Sequence, residues 1–266
     1  MPGRRGLRPR VLAGVVRSNA TLAFAAERRV VSRTRSMGLR SESIQKWWPT
    51  TQSLDLVVGP VDAVATAIEA ETRRLLDGEA VVAAWETFAD LDAAFRAAAD
   101  FANVPTFYLV LPSRSRWTVL WNNSFVCDGY DSLCWCLTRN HGLTTVHWSA
   151  HDEWTTCQSG AAFHYRRLAG STMIERSVHA SQQDKRWAFF ENGTPLPEED
   201  LASYGAKRKR DRLNEAIMSQ LLLRLGASPW SEEFYALPEQ PSFVVRRPRP
   251  PATVVRRNRS QVVRAG

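Results

Sequence analysis

The stretch that decides the fold is Thr106–Trp121, TFYLVLPSRSRWTVLW. Two runs of apolar, β-branched and aromatic residues, Thr106–Leu111 and Trp117–Trp121, flank the polar loop PSRSR. This is the pattern of an antiparallel strand pair. In an extended chain Trp117, Val119 and Trp121 share one face. That face reads first as a core layer with its indole N–H groups satisfied at the edge. Its functional reading is a recognition surface, with Trp117 and Trp121 as candidate binding residues.

Working outward, the same alternation predicts strands at Leu143–Trp148, Ala161–Arg167, Arg176–Ser181 and Trp187–Phe190, the last ended by Asn192-Gly193. DSLCWCLTRNHG, from Asp131 to Gly142, reads as a helix capped by Asp131 or Ser132 and closed by Gly142. Upstream, Leu54–Val58 (LDLVV) is a buried strand stopped by Gly59-Pro60. A helix follows through Val61, Val64, Ile68 and Leu75. VVAAWETF fits strand or helix. Asp90 opens an Ala-rich helix through Leu91 and Phe95. The clearest helical period is Leu213, Ile217, Leu221 and Leu225, terminated by Gly226 and Pro229. The sum is an α+β domain over 41–240, a mostly antiparallel sheet flanked by helices.

A formal charge of +8 suggests a nucleic-acid binder. Its distribution argues against that for the body. Residues 54–240 hold 17 basic and 25 acidic residues, so the positive excess lies in the two ends. Residues 1–40 read as a disordered Arg-rich tail or a misassigned start, with Met37 as the true first residue. Arg17 interrupts the apolar stretch a secretory signal needs. Residues 241–266 read as a disordered Pro/Arg-rich tail with a P-x-x-P match from Pro248 to Pro251. Either tail could adhere to nucleic acid in a salt-sensitive way. Arginine outnumbers lysine 31 to 4, which fits a GC-rich bacterial genome. No apolar run is long enough for a membrane span.

Cys127, Cys134, Cys136 and Cys157 read as reduced thiols of a cytoplasmic protein. Cys134, Cys136, His147 and His151 form a candidate zinc set, two thiolates and two imidazoles. The single-residue Cys gap departs from the usual ligand spacing. Cys127 or Cys157 paired with His141, His147, His151 or His164 is the thiol-catalysis alternative. Asp128 and Asp131 read as a turn and a helix cap before they read as a carboxylate pair. The hydrolase serine elbow, the phosphate-binding loop, the dinucleotide glycine fingerprint and the His-Glu-x-x-His zinc motif are all missing. No cofactor is expected. Lys207-Arg208-Lys209-Arg210 supplies Arg208 and Arg210 as candidate binding residues, or as a solvated, ion-paired turn.

Trp187, Phe189, Phe190, Gly193, Pro195, Leu196, Tyr204, Arg208, Arg210, Asp211, Arg212, Leu225 and Gly226 spell W-x-F-F-x-x-G-x-P-L-P, a tyrosine, R-x-R-D-R and a closing L-G. This resembles the C-terminal part of uncharacterised bacterial proteins, including immunity-type proteins of polymorphic toxin systems. The likeness covers 187–226 and implies a binding role without a catalytic site. The leading expectation is therefore a soluble intracellular protein-binding module, possibly an immunity-like neutraliser acting by occlusion. The alternatives are an enzyme using the Cys/His-rich segment 127–164, thiol-dependent or metal-assisted, and then nucleic-acid binding through the tails.

Overall fold

The computed structural model describes residues 40–47, 53–75, 82–99, 106–122, 131–151, 160–183 and 186–247. All lie in the second of two units, Met1–Arg35 and Ser36–Gly266. The described chain runs α1 (Glu42–Trp47), β1 (Ser53–Val58), α2 (Val61–Leu75), β2 (Val82–Glu86), α3 (Leu91–Ala99), β3 (Thr106–Leu111) and β4 (Trp117–Asn122). It continues through α4 (Asp131–His141), β5 (Thr145–His151), β6 (Gly160–Ala169), β7 (Thr172–Gln183), β8 (Arg186–Asn192), α5 (Glu215–Arg224) and β9 (Ser242–Arg247). The fold is α+β, as the alternating and helical periods require.

The strands form one nine-stranded sheet in the order β2-β9-β3-β4-β1-β5-β6-β7-β8. Every neighbouring pair is antiparallel. β3 and β4 pair as a hairpin, with Leu109 opposite Trp121. The ambiguous VVAAWETF segment is the edge strand β2.

One expectation is overturned here. Residues 242–247 are not a tail: β9 is inserted between β2 and β3, with Tyr108 opposite Val245 and Trp85 opposite Phe243. Phe243, Val244 and Val245 are buried. Arg246 is 2.7 Å from Glu86, so its charge is neutralised within the fold. The folded segment thus runs past 240, because a three-residue apolar run suffices when both neighbours supply a ladder. The reading of residues 1–39 and 248–266 lies outside the described residues.

The central strands bury both faces. Leu54, Leu56, Trp117, Val119, Trp121, Val146, Trp148 and Phe163 point to the larger core, with α3 and α5 contributing Phe95, Met218 and Leu222. The opposite face packs Val57, Leu120 and Val110 against Val64 and Ile68 of α2 and Leu133 and Leu137 of α4. Trp117 and Trp121, 1% and 0% exposed, cannot be a binding surface. Trp117 donates its indole N–H to the Leu225 carbonyl at 3.0 Å and Trp121 to the Tyr235 hydroxyl at 3.2 Å. The core reading of this aromatic face is the correct one.

The segment 187–226 is held by one ion-pair cluster. Arg176 of β7 donates from Nε to Glu199 Oε1 at 2.9 Å and from Nη2 to Glu199 Oε2 at 2.8 Å, and Nη2 also reaches Glu191 at 2.7 Å. Glu199 further accepts from Tyr204 Oη at 2.9 Å and from the Leu196 amide at 2.7 Å. Phe189 rests against Tyr204 and beneath the Arg212 guanidinium. At Gly193 (φ +83°) a Cβ would stand 2.0 Å from the Glu175 carbonyl oxygen. The W-x-F-F-x-x-G-x-P-L-P pattern is thus a packing unit, and Arg176, outside it, is its anchor.

Candidate functional site

The second face of the sheet carries a row of polar side chains where apolar ones would be the default. β1 contributes Asp55, the one carboxylate in an otherwise apolar strand. β5 sets His147 opposite Asp55, and β6 sets His164 opposite His147. β7 adds His179, opposite Ala162 of β6 and Phe190 of β8. Period-two geometry puts all four on the same face. α4 lies over β5 and β6 and lowers Asp131 and Cys134 onto the row.

At the buried end, His147 Nδ1 is 2.6 Å from Asp55 Oδ1, and both side chains are shut off from solvent. The other Asp55 oxygen, Oδ2, is buried with no conventional hydrogen-bond donor among the described residues; the Cys134 thiol is its neighbour. Burial pushes the Asp55 carboxyl up, against the opposing pull of His147. Burial would lower His147, but the Asp55 charge and hydrogen bond raise it above the ordinary imidazole value. The pair is best described as sharing one proton.

In the middle, Asp131 takes two Arg166 donors, Nη1 at 2.5 Å and Nη2 at 2.8 Å, and lies 2.8 Å from His164 Nδ1. Burial works against its charge, yet the His164 and Arg166 bonds hold the carboxyl well below the usual range. Nδ1 of His164 also lies 2.9 Å from Arg166 Nη2, so carboxylate and guanidinium meet at the same ring nitrogen. Arg166 is completed by Glu175 at 2.8 Å.

At the open end, His164 Nε2 and His179 Nε2 face each other at 2.8 Å. Burial and the neighbouring His164 depress His179 to about 4, so its ring is neutral at pH 7. His179, Ser181, Ala188 and Phe190 line a depression of about 290 Å³. Phe190 is 59% exposed. Phe190 and His179 lie on the face of β7 and β8 opposite Phe189, whose own side is taken by Tyr204 and Arg212.

Of the expected zinc set, His147 and Cys134 belong to this row, and Cys136 does not. Two positions along a helix, Cys136 turns toward α2, 3.4 Å from Arg74 Nη2 and beside Glu71. Glu71 there accepts from Arg74, Asn140 and His141. The side chain of His151 lies outside the described residues. Among the described residues no three His, Cys, Asp or Glu side chains gather as metal ligands. The set Cys134, Cys136, His147, His151 therefore fails as a tetrahedral site, because its two thiols point to different neighbourhoods.

Cys134 and Cys136 are free and buried. Burial raises both thiols, Cys134 well above its ordinary value with the Asp55 charge adding to it. Neither is a thiolate nucleophile at neutral pH. Cys127 and Cys157 lie outside the described residues. Arg208 and Arg210 are exposed on a 3-10 turn ahead of α5, Arg208 Nε 2.5 Å and Arg210 Nε 3.8 Å from Asp211. This is the ion-paired turn.

Asp55, Arg166 and His179 escaped the sequence reading. A single carboxylate in LDLVV is masked by its neighbours, and the three histidines, far apart in sequence, meet only through strand register. No helix among the described residues is long and apolar enough to cross a membrane. No protein-family model, no curated protein and no solved structure matches this chain.

Proposed function

We propose that this chain is a bacterial, intracellular protein-binding module of the immunity-like kind, neutralising its partner by occlusion, and that the partner docks on the β7–β8 face that carries Phe190. The observation that carries the reading is Phe190, a large aromatic 59% exposed beside a depression of about 290 Å³ on an edge strand. An exposed aromatic next to a pocket is the usual anchor of a protein interface. The acidic excess of 54–240 favours a basic partner. Glu175, on the same face of β7, keeps a carboxylate 37% exposed there.

The test is a photo-crosslinking side chain at position 190, compared with one at the exposed Trp85 on the opposite edge, in native lysate at physiological salt. The expected result is one basic protein captured from position 190 and not from 85. Capture from neither position, or equally from both, contradicts the reading.

A second reading is supported by the convergence of Asp131, His147 and His164, all from segment 127–164. This is an acid–base enzyme rather than a thiol enzyme. Coupled carboxylate and imidazole groups within hydrogen-bond reach of one another are the arrangement proton-transfer sites use. Nucleic-acid binding through the tails rests on residues outside those described.

A further inference from the structure

We propose that the facing Nε2 atoms of His164 and His179 form a site for a divalent transition-metal ion of the nickel–copper class, held by two protein imidazoles and completed by water. This inference stands apart from partner binding and from the Cys134, Cys136, His147, His151 set, which is not assembled.

The geometry comes from strand register. His164 on β6 and His179 on β7 occupy diagonal positions on one sheet face, and their Nε2 atoms stand 2.8 Å apart. Metal–imidazole bonds of about 2.0–2.1 Å at right angles place two nitrogens roughly 2.9 Å apart. The pair therefore matches two adjacent positions of a tetragonal ion with little movement. A tetrahedral ion needs roughly 3.3–3.4 Å and a wider strand separation. Two imidazoles with open remaining positions suit nickel(II) or copper(II) better than a closed structural zinc site.

The surroundings supply the support such a ligand needs. His164 Nδ1 stands 2.8 Å from Asp131 and 2.9 Å from Arg166 Nη2, contacts that fix the ring; in the tautomer that gives its Nδ1 hydrogen to Asp131, Nε2 is the ligating nitrogen. Asp131 is fixed in turn by the two Arg166 donors. In the metal-free protein one hydrogen lies between the two Nε2 atoms. Loading requires that hydrogen to leave Nε2, to solvent or to the other nitrogen of its ring, so that both Nε2 lone pairs face the ion. The depression lined by His179, Ser181, Ala188 and Phe190 is the entry route and the place for the water ligands.

The experiment uses the full chain without an affinity tag, stripped with chelator and labelled with nitrogen-15 at histidine. Nickel(II) chloride is titrated while ring nitrogen signals are followed by NMR and binding by calorimetry. The expected result is saturation at one ion per chain. The His164 and His179 ring signals should broaden at sub-equivalent metal, before those of His141. His179→Gln should weaken binding at least tenfold, while His141→Gln leaves it unchanged. Failure to saturate, earlier broadening of His141, or a His179→Gln affinity within twofold of the parent overturns the site. If His179→Gln does not fold, the broadening order in the parent protein decides alone.

Discussion

Glu199 has a fully buried carboxylate whose only cationic partner among the described residues is Arg176, itself 2% exposed at its side chain. Removing Arg176 leaves that carboxylate uncompensated, so Arg176→Ala should cost about 3–5 kcal/mol, read from urea unfolding midpoints. A loss below about 1 kcal/mol would mean that water reaches the pair. Gly193→Ala meets both a positive φ and the Glu175 carbonyl, and should cost about 2 kcal/mol or more in the same measurement. His179 makes stability depend on acid. Its folded value of about 4 lies below its unfolded value, so the unfolded chain takes up the proton first. Stability should fall as pH drops from about 6.5 to about 4, by on the order of 1–3 kcal/mol. Asp131, held low in the folded state, adds a second loss below about pH 4. Urea unfolding in chelator at several pH values checks this: His179→Asn should flatten the upper step and leave the lower one, and an unchanged upper step would contradict the assignment.

The elements show which physical signals a sequence carries. The hairpin β3–β4, the helices α2 and α5 and the strand β1 were legible because each has a complete local period and a local stop, such as Gly59-Pro60 or Gly226. Asp90 capped α3 as read, accepting from the Ala93 amide at 2.7 Å. β9 was not legible: Phe243–Val245 is short, sits among Pro and Arg, and owes its stability to β2 and β3, strands far away in sequence. Ending the chain at residue 240 should therefore abolish cooperative unfolding by uncovering the facing edges of β2 and β3, checked by circular dichroism during heating. A sharp transition retained without β9 would contradict its place in the sheet. For the candidate site, Asp131, Cys134, His147 and His164 stood within the Cys/His-rich segment singled out in advance. Their assembly depended on register that no local pattern states. On α4 the outcome is also testable: Cys134 and Cys136 should label far more slowly with a thiol reagent in the native state than in denaturant. Fast labelling of either, located by mass spectrometry, would contradict its burial.

At the scale of the molecule, the sheet has one half sandwiched between helices and another that ends, at β7 and β8, in an open face carrying His179, Ser181, Ala188 and Phe190. The buried half accounts for stability, and the open half is where a partner can remove apolar surface from water. The acidic excess of 54–240 then acts on the rate and salt dependence of association rather than on the fold. The most direct measurement compares the affinity of the parent chain and of Phe190→Asp for the protein captured from position 190, by calorimetry at two salt concentrations, with unfolding curves recorded on both chains. Recognition through the open face predicts at least a hundredfold weaker binding by Phe190→Asp, an unchanged unfolding midpoint, and parental binding that weakens as salt rises. Equal affinities of the two folded chains would contradict it.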